Sequence, residues 1–319
     1  MTITWVLGGA GLLGSAMLRQ LRSDGTELFC PAQGFSWGND TELPRQVQAA
    51  VQAFALRAST AQRWEIHWAA GVGTMGSAAA ELVPETQTLA LLLQLLQADA
   101  GLMSRPGSLS FASSAGAIYA GASDEIITEN TAPAPTTAYA EAKLQQEDLV
   151  RSFAAASPRV AALIARISTL YGPGQATGKK QGLLGHMARC ILRNQPIQIY
   201  VPFDTIRDYI DADDAALAIV GTLRSGQAHP RAVTKIIASE CPATIAEIVA
   251  TFGRLARRAP RVVRSASRLS SLYSRRVQFR SVVSSDYQRA PGKRLPLGIA
   301  QVMSAERLAF MRGASGHNP

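Results

Sequence analysis

A tyrosine and a lysine stand four residues apart in the stretch TTAYAEAKLQQED, at Tyr139 and Lys143. The threonines are typical helix N-caps and the residues after them are good helix formers, so the stretch predicts a helix. Positions i and i+4 share one helix face, which places the phenol beside the ammonium. A nearby ammonium favours the phenolate, so the pair suits proton transfer. A half-buried tyrosine beside a solvated lysine has the same spacing and is the structural alternative.

A glycine-rich stretch, VLGGAGLLGSAML, follows the short β-prone run at the N-terminus. Gly9, Gly11 and Gly14 satisfy G-x-G-x-x-G, and the segment after them has helical spacing. Such a loop lets a pyrophosphate approach the N–H groups of a helix N-terminus, so the stretch predicts a dinucleotide site. The predicted contacts are Gly8, Gly11, Leu12, Leu13 and Gly14.

The choice between NAD and NADP depends on the end of the second predicted strand. An acidic residue there would hold the ribose 2′-hydroxyl. The strand ends FCPAQGF, with neither an acid nor an arginine. The cofactor is therefore NAD or NADP, with NAD preferred.

Strand-like and helix-like segments alternate along the first half of the chain. The runs ITWVL, TELFC, RWEIHWAA, GSLSFASS and RVAALIARIS are β-prone, and helical segments separate them. This alternation predicts an α/β fold, a Rossmann-type doubly wound parallel sheet with ligands at the carboxyl ends of the strands. We assign 1–172 to this domain, with 206–223 returning to it, and 173–205 and 224–319 to a smaller substrate-binding region.

In their order along the chain, these segments resemble the extended short-chain dehydrogenase/reductases, in the NAD-dependent epimerase/dehydratase family that acts on nucleotide sugars. GGAGLLG resembles the glycine loop of that family, IHWAA the segment beside the adenine ribose, and FASSAGAIYA the segment that carries the catalytic serine or threonine. YAEAK is the Tyr-x-x-x-Lys pair. ARISTLYGPGQ and IQIYVPFDTIRDYIDADDAALA resemble two later motifs.

The resemblance implies roles for several of these residues. Tyr139 is expected to transfer the proton, and Lys143 to lower the pKa of the phenol and to hydrogen-bond the cofactor ribose, so both also bind cofactor. Ala69 and Ala70 are expected beside the adenine ribose. Glu147, one turn beyond Lys143, is interpreted as a structural ion pair.

The catalytic serine is less sharply indicated. Counting back four residues from the family's loop tyrosine, Tyr119, leads to Ala115, so Ser114 is the predicted catalytic serine and Ser113 the alternative, assigned to substrate binding. Related dehydratases have Asp-Glu after the catalytic residue, whereas Ala115 and Gly116 stand here, which disfavours a dehydratase. The asparagine usual in the preceding helix is not evident in PETQTLALLLQ.

Arginines are the expected ligands of the substrate diphosphate, because a guanidinium pairs with phosphate through two parallel hydrogen bonds. Arg207 resembles the family arginine with that role, and an ion pair with an aspartate of the segment DYIDADD is its structural alternative. The second arginine is predicted to be Arg280, with Arg276 as the alternative. Lys179 and Lys180 are further candidates, or residues of a solvated turn.

Composition narrows the class of protein. A chain of 319 residues with 47% hydrophobic content can bury a large core, and no run approaches the roughly 20 apolar residues of a membrane span. The N-terminus lacks the basic region of a signal peptide. Three cysteines without metal-ligand spacing fit reduced thiols, so we expect a cytoplasmic protein without a metal site. Of 32 Lys and Arg, 14 follow residue 250, but aromatic residues for base stacking are few, which disfavours nucleic acid.

The leading functional hypothesis is a nucleotide-sugar epimerase that works at C4 through a 4-keto intermediate. A 4-keto-sugar reductase that uses NADPH is the alternative, and a non-catalytic Rossmann-fold binding protein is the third reading. The expected partners are a nucleotide-diphosphate sugar and a second copy of the chain.

Overall fold

The computed structural model describes residues 1–174, 182–225, 231–265, 276–283 and 292–315. Within these ranges the chain forms twelve strands: β1 (Thr2–Leu7), β2 (Glu27–Phe29), β3 (Arg63–Trp68), β4 (Gly107–Ser114), β5 (Val160–Ile167), β6 (Thr169–Tyr171), β7 (Ile197–Ile199), β8 (Ile206–Arg207), β9 (Tyr209–Asp211), β10 (Ala232–Ile237), β11 (Ala243–Thr244) and β12 (Val262–Arg264). The same ranges contain ten helices: α1 (Leu12–Ser23), α2 (Glu42–Ala58), α3 (Ala79–Ala98), α4 (Ala100–Met103), α5 (Ala115–Ile118), α6 (Ala138–Ala155), α7 (Leu183–Leu192), α8 (Ala212–Ser225), α9 (Ile245–Ala256) and α10 (Leu295–Ser315).

Six strands form one parallel sheet in the spatial order β2-β1-β3-β4-β5-β10. The order reverses at β1, because β2 lies on one side of it and β3 on the other. In a doubly wound sheet the ligand crevice lies at the carboxyl ends of the strands beside this reversal. The predicted fold class is therefore confirmed, and the crevice falls where the glycine-rich stretch leaves β1.

Helices cover both faces of this sheet. On one face, buried side chains such as Trp5, Trp64 and Phe111 pack against α2, α3 and α6. On the other face, α1 and α8 contribute a second apolar cluster that includes Met17 and Ile219. Fully burying a large apolar side chain contributes about 1.5–3 kcal/mol, so the two layers fix the positions of the strand ends.

A separate apolar cluster joins α7, α9 and α10, in the ranges predicted to form the substrate-binding region. The range 224–319 also contains β10, which pairs with β5 as the edge strand of the large sheet. The run AVTKII is β-prone and follows α8 closely, so it completes a strand–helix–strand unit. The boundary predicted at residue 224 therefore separates α8 from a strand of the same sheet.

The stretch PETQTLALLLQ, which begins at Pro84, is predicted to be helical. The helix that contains it, α3, starts five residues earlier, at Ala79. The Oε2 atom of Glu81 accepts a 2.9 Å hydrogen bond from the backbone N–H of Ala78 and so satisfies a donor at the helix start. The longer helix carries Glu85 in its second turn. None of the helices in the described ranges combines the length and the apolar character needed to cross a lipid bilayer.

Candidate active site

The turn between β1 and α1 packs directly on the end of β3. Gly8 has φ +83°, and a Cβ atom there would lie 2.5 Å from the backbone nitrogen of Ala70. The backbone N–H of Ala69 donates a 2.9 Å hydrogen bond to the carbonyl oxygen of Leu7. The structure thus brings together Gly8, Ala69 and Ala70, which the sequence assigns to one cofactor site.

The N-terminus of α1 forms a cradle of backbone donors. The N–H groups of Leu12, Leu13 and Gly14 belong to the first helical turn, which has no acceptors within the helix. A Cβ atom at Gly14 would overlap the carbonyl oxygen of Gly8, so the absence of a side chain lets the helix start against the turn. These donors and the positive end of the helix dipole fit the pyrophosphate of NAD(P). The assignment of each single contact, including that of Gly11, stays a prediction.

The end of β2 does not discriminate between the two cofactors. The strand ends at Phe29, the next residue, Cys30, is exposed, and the stretch CPAQGF carries no charged side chain. This edge of the site therefore offers neither a carboxylate for a free 2′-hydroxyl nor a cation for a 2′-phosphate.

Tyr139 lies in the first turn of α6, at the carboxyl edge of the sheet. Thr137 caps this helix, because its Oγ1 atom accepts a 3.3 Å hydrogen bond from the backbone N–H of Ala140. Tyr139 is half-buried, and its pKa is lowered by the hydroxyl of Ser114, the last residue of β4. The Oγ atom of Ser114 accepts a 3.3 Å hydrogen bond from the backbone N–H of Ala117 at the start of α5. The loop after β3 covers its ring, since a Cβ atom at Gly73 would lie 3.0 Å from the Cδ2 atom of Tyr139.

Lys143 lies one turn beyond Tyr139, as the spacing predicts, and its side chain is buried rather than solvated. The Nζ atom lies 5.8 Å from the centre of the Tyr139 ring and 5.1 Å from that of Phe111. It donates hydrogen bonds of 2.8 Å to Oε1 of Glu85 and of 2.9 Å to Oε1 of Gln146. The lysine is 4% exposed, so this ammonium depends on partners in the protein.

The surroundings of Tyr139 favour its neutral form. Burial raises the pKa of the Tyr139 phenol, and the negative charge of Glu85 raises it further. The ammonium of Lys143 and the hydroxyl of Ser114 act in the opposite direction. The net result is a pKa above the ordinary value of tyrosine, so the structure places a phenol with a proton to donate beside Ser114 and Lys143.

Ser113, the alternative serine, is engaged elsewhere. Its Oγ atom donates a 2.7 Å hydrogen bond to Oε1 of Glu147, and both residues are buried. Glu147 also pairs with Arg166, through bonds of 2.9 and 2.7 Å, and with Arg151. Glu147 is therefore a structural ion pair, as expected, and Ser114 is the serine that acts on the pKa of Tyr139. The roles of the two serines stay predictions.

The arginines expected at the substrate diphosphate lie on different segments. Arg207 is half-buried in β8, and its Nη1 atom donates a 2.8 Å hydrogen bond to the carbonyl oxygen of Ile206. Arg276 forms a β-bridge with Ile206. Arg280 donates its backbone N–H to the carbonyl oxygen of Ile127, at 2.9 Å. Which of Arg280 and Arg276 accompanies Arg207 at the diphosphate stays a prediction.

The aspartates that follow Arg207 have partners of their own. Their hydrogen bonds or ion pairs join Asp208 to Ser168 and Ser239, Asp211 to Lys293, and Asp213 to Arg19. The choice between the substrate role of Arg207 and its structural alternative stays a prediction. Lys179 and Lys180 lie outside the described residues.

Two polar residues at the site, Glu85 and Gln146, were not predicted from the sequence. Both contact the Lys143 ammonium, and Gln146 also donates a 3.0 Å hydrogen bond to Oγ1 of Thr86. The available signal was an acidic residue at the start of the otherwise apolar stretch PETQTLALLLQLL. Such a residue is costly to bury without a cation, which points to a buried partner.

Comparison with known proteins agrees with this geometry. The model of the NAD dependent epimerase/dehydratase family matches residues 4–234. Over 96 residues the chain is 34% identical to a dTDP-L-rhamnose 4-epimerase of Burkholderia thailandensis, a match that covers 30% of this chain and 26% of that protein. Over 113 residues it is 34% identical to a dTDP-4-dehydro-6-deoxyglucose reductase of Escherichia coli, which covers 35% of each chain. The chain thus spans about a quarter to a third of the length of the curated relatives it matches.

Solved structures share the fold over nearly the whole chain. The structure of RMD from Pseudomonas aeruginosa, complexed with NADPH, superposes with a TM-score of 0.78 and covers 97% of this chain and 100% of its own. Its sequence identity is 20%, so the likeness establishes the fold.

Proposed function

The chain belongs to the NAD dependent epimerase/dehydratase family, and we propose that it is an NAD(P)-dependent enzyme that epimerises a nucleotide-diphosphate sugar at C4. The observation that carries the proposal is the grouping of Tyr139, the Ser114 hydroxyl that acts on its pKa, and the buried Lys143 ammonium at the carboxyl edge of the sheet. The glycine turn that fits a dinucleotide leaves β1 at the same edge.

Each residue of this group has one task in the proposed reaction. The Ser114 hydroxyl holds the oxygen at C4 of the sugar by a hydrogen bond. As the phenolate, Tyr139 takes the proton of the 4-hydroxyl group as C4 is oxidised, and as the neutral phenol it returns the proton when C4 is reduced from the opposite face. Lys143 stabilises the phenolate, which exists before the oxidation and again after the reduction. When bound, the nicotinamide supplies the hydride acceptor and donor.

Arg207 is proposed to bind the diphosphate of the substrate together with Arg280 or, as the alternative, Arg276. Their guanidinium groups suit paired phosphate oxygens. The nucleotide sugars named for the two curated relatives carry such a diphosphate, which supports this substrate class.

A 4-keto-sugar reductase is the second candidate. It stays a candidate because the stretch after β2 carries neither the carboxylate that selects NAD nor a cation that would select NADP, and a protein of the same fold is complexed with NADPH. One of the two curated relatives is a reductase of this kind. A non-catalytic binding protein is disfavoured, because the tyrosine, lysine and serine are all present and in contact with one another or with buried partners.

A single experiment separates these candidates. The purified protein is incubated with a panel of nucleotide sugars and 4-keto sugars, with and without added NAD(P)H, and the configuration at C4 is followed by NMR. An epimerase carries bound cofactor and needs none added, whereas a reductase consumes added NADPH in proportion to product. Absence of turnover with the whole panel would refute the proposed function.

Two broader expectations belong to the same proposal. The enzyme is proposed to be a homodimer. Size-exclusion chromatography with light scattering measures the molar mass in solution, which should be that of two chains. A reducing compartment, the cytoplasm, is proposed because Cys30, Cys190 and Cys241 are all free thiols.

A further inference from the structure

Most of the hydrogen-bonding capacity of Lys143 is used inside the protein. An ammonium has three N–H donors. One reaches Oε1 of Glu85 at 2.8 Å and another reaches Oε1 of Gln146 at 2.9 Å. One donor is left for a cofactor ribose or for the phenol of Tyr139. Because Lys143 and Gln146 are almost fully buried, the ion pair with Glu85 is shielded from water.

Glu85 also holds the loop that covers Tyr139. Its Oε2 atom accepts a 3.2 Å hydrogen bond from the backbone N–H of Val72. The backbone of Gly73 also lowers the pKa of this carboxyl. Gly73 packs on the ring of Tyr139. The negative charge is therefore fixed between the cation beside the phenol and the backbone above it.

We propose that Glu85 is a positioning residue that keeps Tyr139 in its neutral phenol form, by offsetting the charge of Lys143. The inference rests on the proposed function, because it concerns how the same tyrosine enters the reaction. A neutral phenol donates its proton to a 4-keto oxygen at once, whereas removal of the proton from a 4-hydroxyl group first requires the phenolate. Reduction at C4 is then available at neutral pH, and oxidation at C4 depends on higher pH.

The groups around Tyr139 allow this balance. The charged groups that act on it are Lys143 from its own helix and Glu85 from α3. Ser114, at the end of β4, contributes an uncharged hydroxyl, and the covering loop contributes Gly73. The positive charge of Lys143 lowers the pKa of the phenol and the negative charge of Glu85 raises it. The pKa of Tyr139 therefore depends on whether Glu85 is charged.

The test uses charge changes that keep the hydrogen bonds. Glu85→Gln removes the charge, Gln146→Glu adds one on the other side of the ammonium, and the double variant Glu85→Gln/Gln146→Glu moves the charge from one partner to the other. Glu85→Asp is the control that keeps the charge on α3. The ionisation of Tyr139 is measured as the near-ultraviolet phenolate absorbance of each protein minus that of the same protein with Tyr139→Phe, across pH and at matched cofactor content.

We expect Glu85→Gln to move the Tyr139 titration to lower pH by about one unit or more, the size of a shift from a nearby charge. Gln146→Glu should move it to higher pH, and the double variant should return it towards the wild-type position. An unchanged titration in Glu85→Gln, or one displaced to higher pH, would overturn the proposal. Should that variant not fold, Gln146→Glu alone decides, and a titration that does not rise contradicts the proposal.

The titration needs neither substrate nor turnover. A protein that converts no nucleotide sugar would therefore refute the proposed function while the titration still tests Glu85. Where turnover is present, the pH profile of kcat for oxidation at C4 should shift with the titration in each variant, which a merely structural role of Glu85 would not produce.

Discussion

Ser113 donates its hydroxyl hydrogen to Oε1 of Glu147 at 2.7 Å, in the interior of the protein. Ser114, its neighbour in the sequence, lowers the pKa of Tyr139 instead. Ser114→Ala should therefore lower kcat, whereas Ser113→Ala should lower the free energy of unfolding by about 1.5–3 kcal/mol, the usual effect of losing a hydrogen bond to a charged group. Urea unfolding and steady-state kinetics on both variants check the assignment. A reversal of the two effects would make Ser113 the catalytic serine.

The proton-transfer role of Tyr139 leads to a prediction about its oxygen. Tyr139→Phe keeps the ring that Gly73 covers and removes only the hydroxyl group, so cofactor affinity should survive. Turnover should fall by about 10²–10⁴-fold, the usual contribution of a general acid–base residue. Cofactor titration and single-turnover kinetics on the same protein measure the two effects. A variant that keeps the wild-type rate would remove Tyr139 from the mechanism.

The sequence predicts those parts of the site that depend on local pattern. β4 and the start of α6 lie where alternation and the threonine cap place them. The two serines cannot be told apart in the sequence. Only the register of β4 against β5, with Ser113 opposite Arg166, decides which hydroxyl faces the buried ion pair. The contact of Glu85 with Lys143 joins residues 58 positions apart, and no local pattern specifies such a pairing.

The glycine turn offers a matched pair of substitutions. A Cβ atom at Gly14 meets the backbone of Gly8, which cannot move without shifting the turn. A Cβ atom at Gly9 meets chiefly the end of the flexible Leu18 side chain. Gly14→Ala should thus weaken NAD(P) binding far more than Gly9→Ala does. Isothermal titration with both cofactors measures the difference, and equal affinities in the two variants would contradict the proposed pyrophosphate cradle.

Acid should destabilise the protein through Glu65, which is buried in β3. Burial alone would raise the pKa of Glu65, but His67, 2.9 Å away, and Arg224, 3.0 Å away, lower it to about 2. A folded pKa below the unfolded value near 4.5 stabilises the native state above that pH. This stability, on the order of 3 kcal/mol, is lost as the pH falls from about 4.5 to about 2.

Glu65→Gln should accordingly be less stable than the wild type at neutral pH, and its stability should depend less on pH below about 4.5. Urea unfolding at a series of pH values measures the slope. Glu125→Gln, which alters an exposed carboxylate, is the control and should keep the wild-type slope. A Glu65 variant with the same acid dependence as the wild type would show that another carboxylate is responsible.

Arg207 gives the prediction that separates substrate binding from scaffolding. If its guanidinium binds the diphosphate, Arg207→Ala should raise KM for the nucleotide sugar about ten- to a hundredfold, as the loss of about 1.5–3 kcal/mol implies. Cofactor affinity should barely change, because the pyrophosphate of NAD(P) is assigned to the glycine turn. Arg280→Ala and Arg276→Ala decide which of these two arginines is the second diphosphate ligand, because only that variant should also raise KM. KM and melting temperature are measured on all three variants, and an unchanged KM with a lowered melting temperature would assign Arg207 a purely structural role.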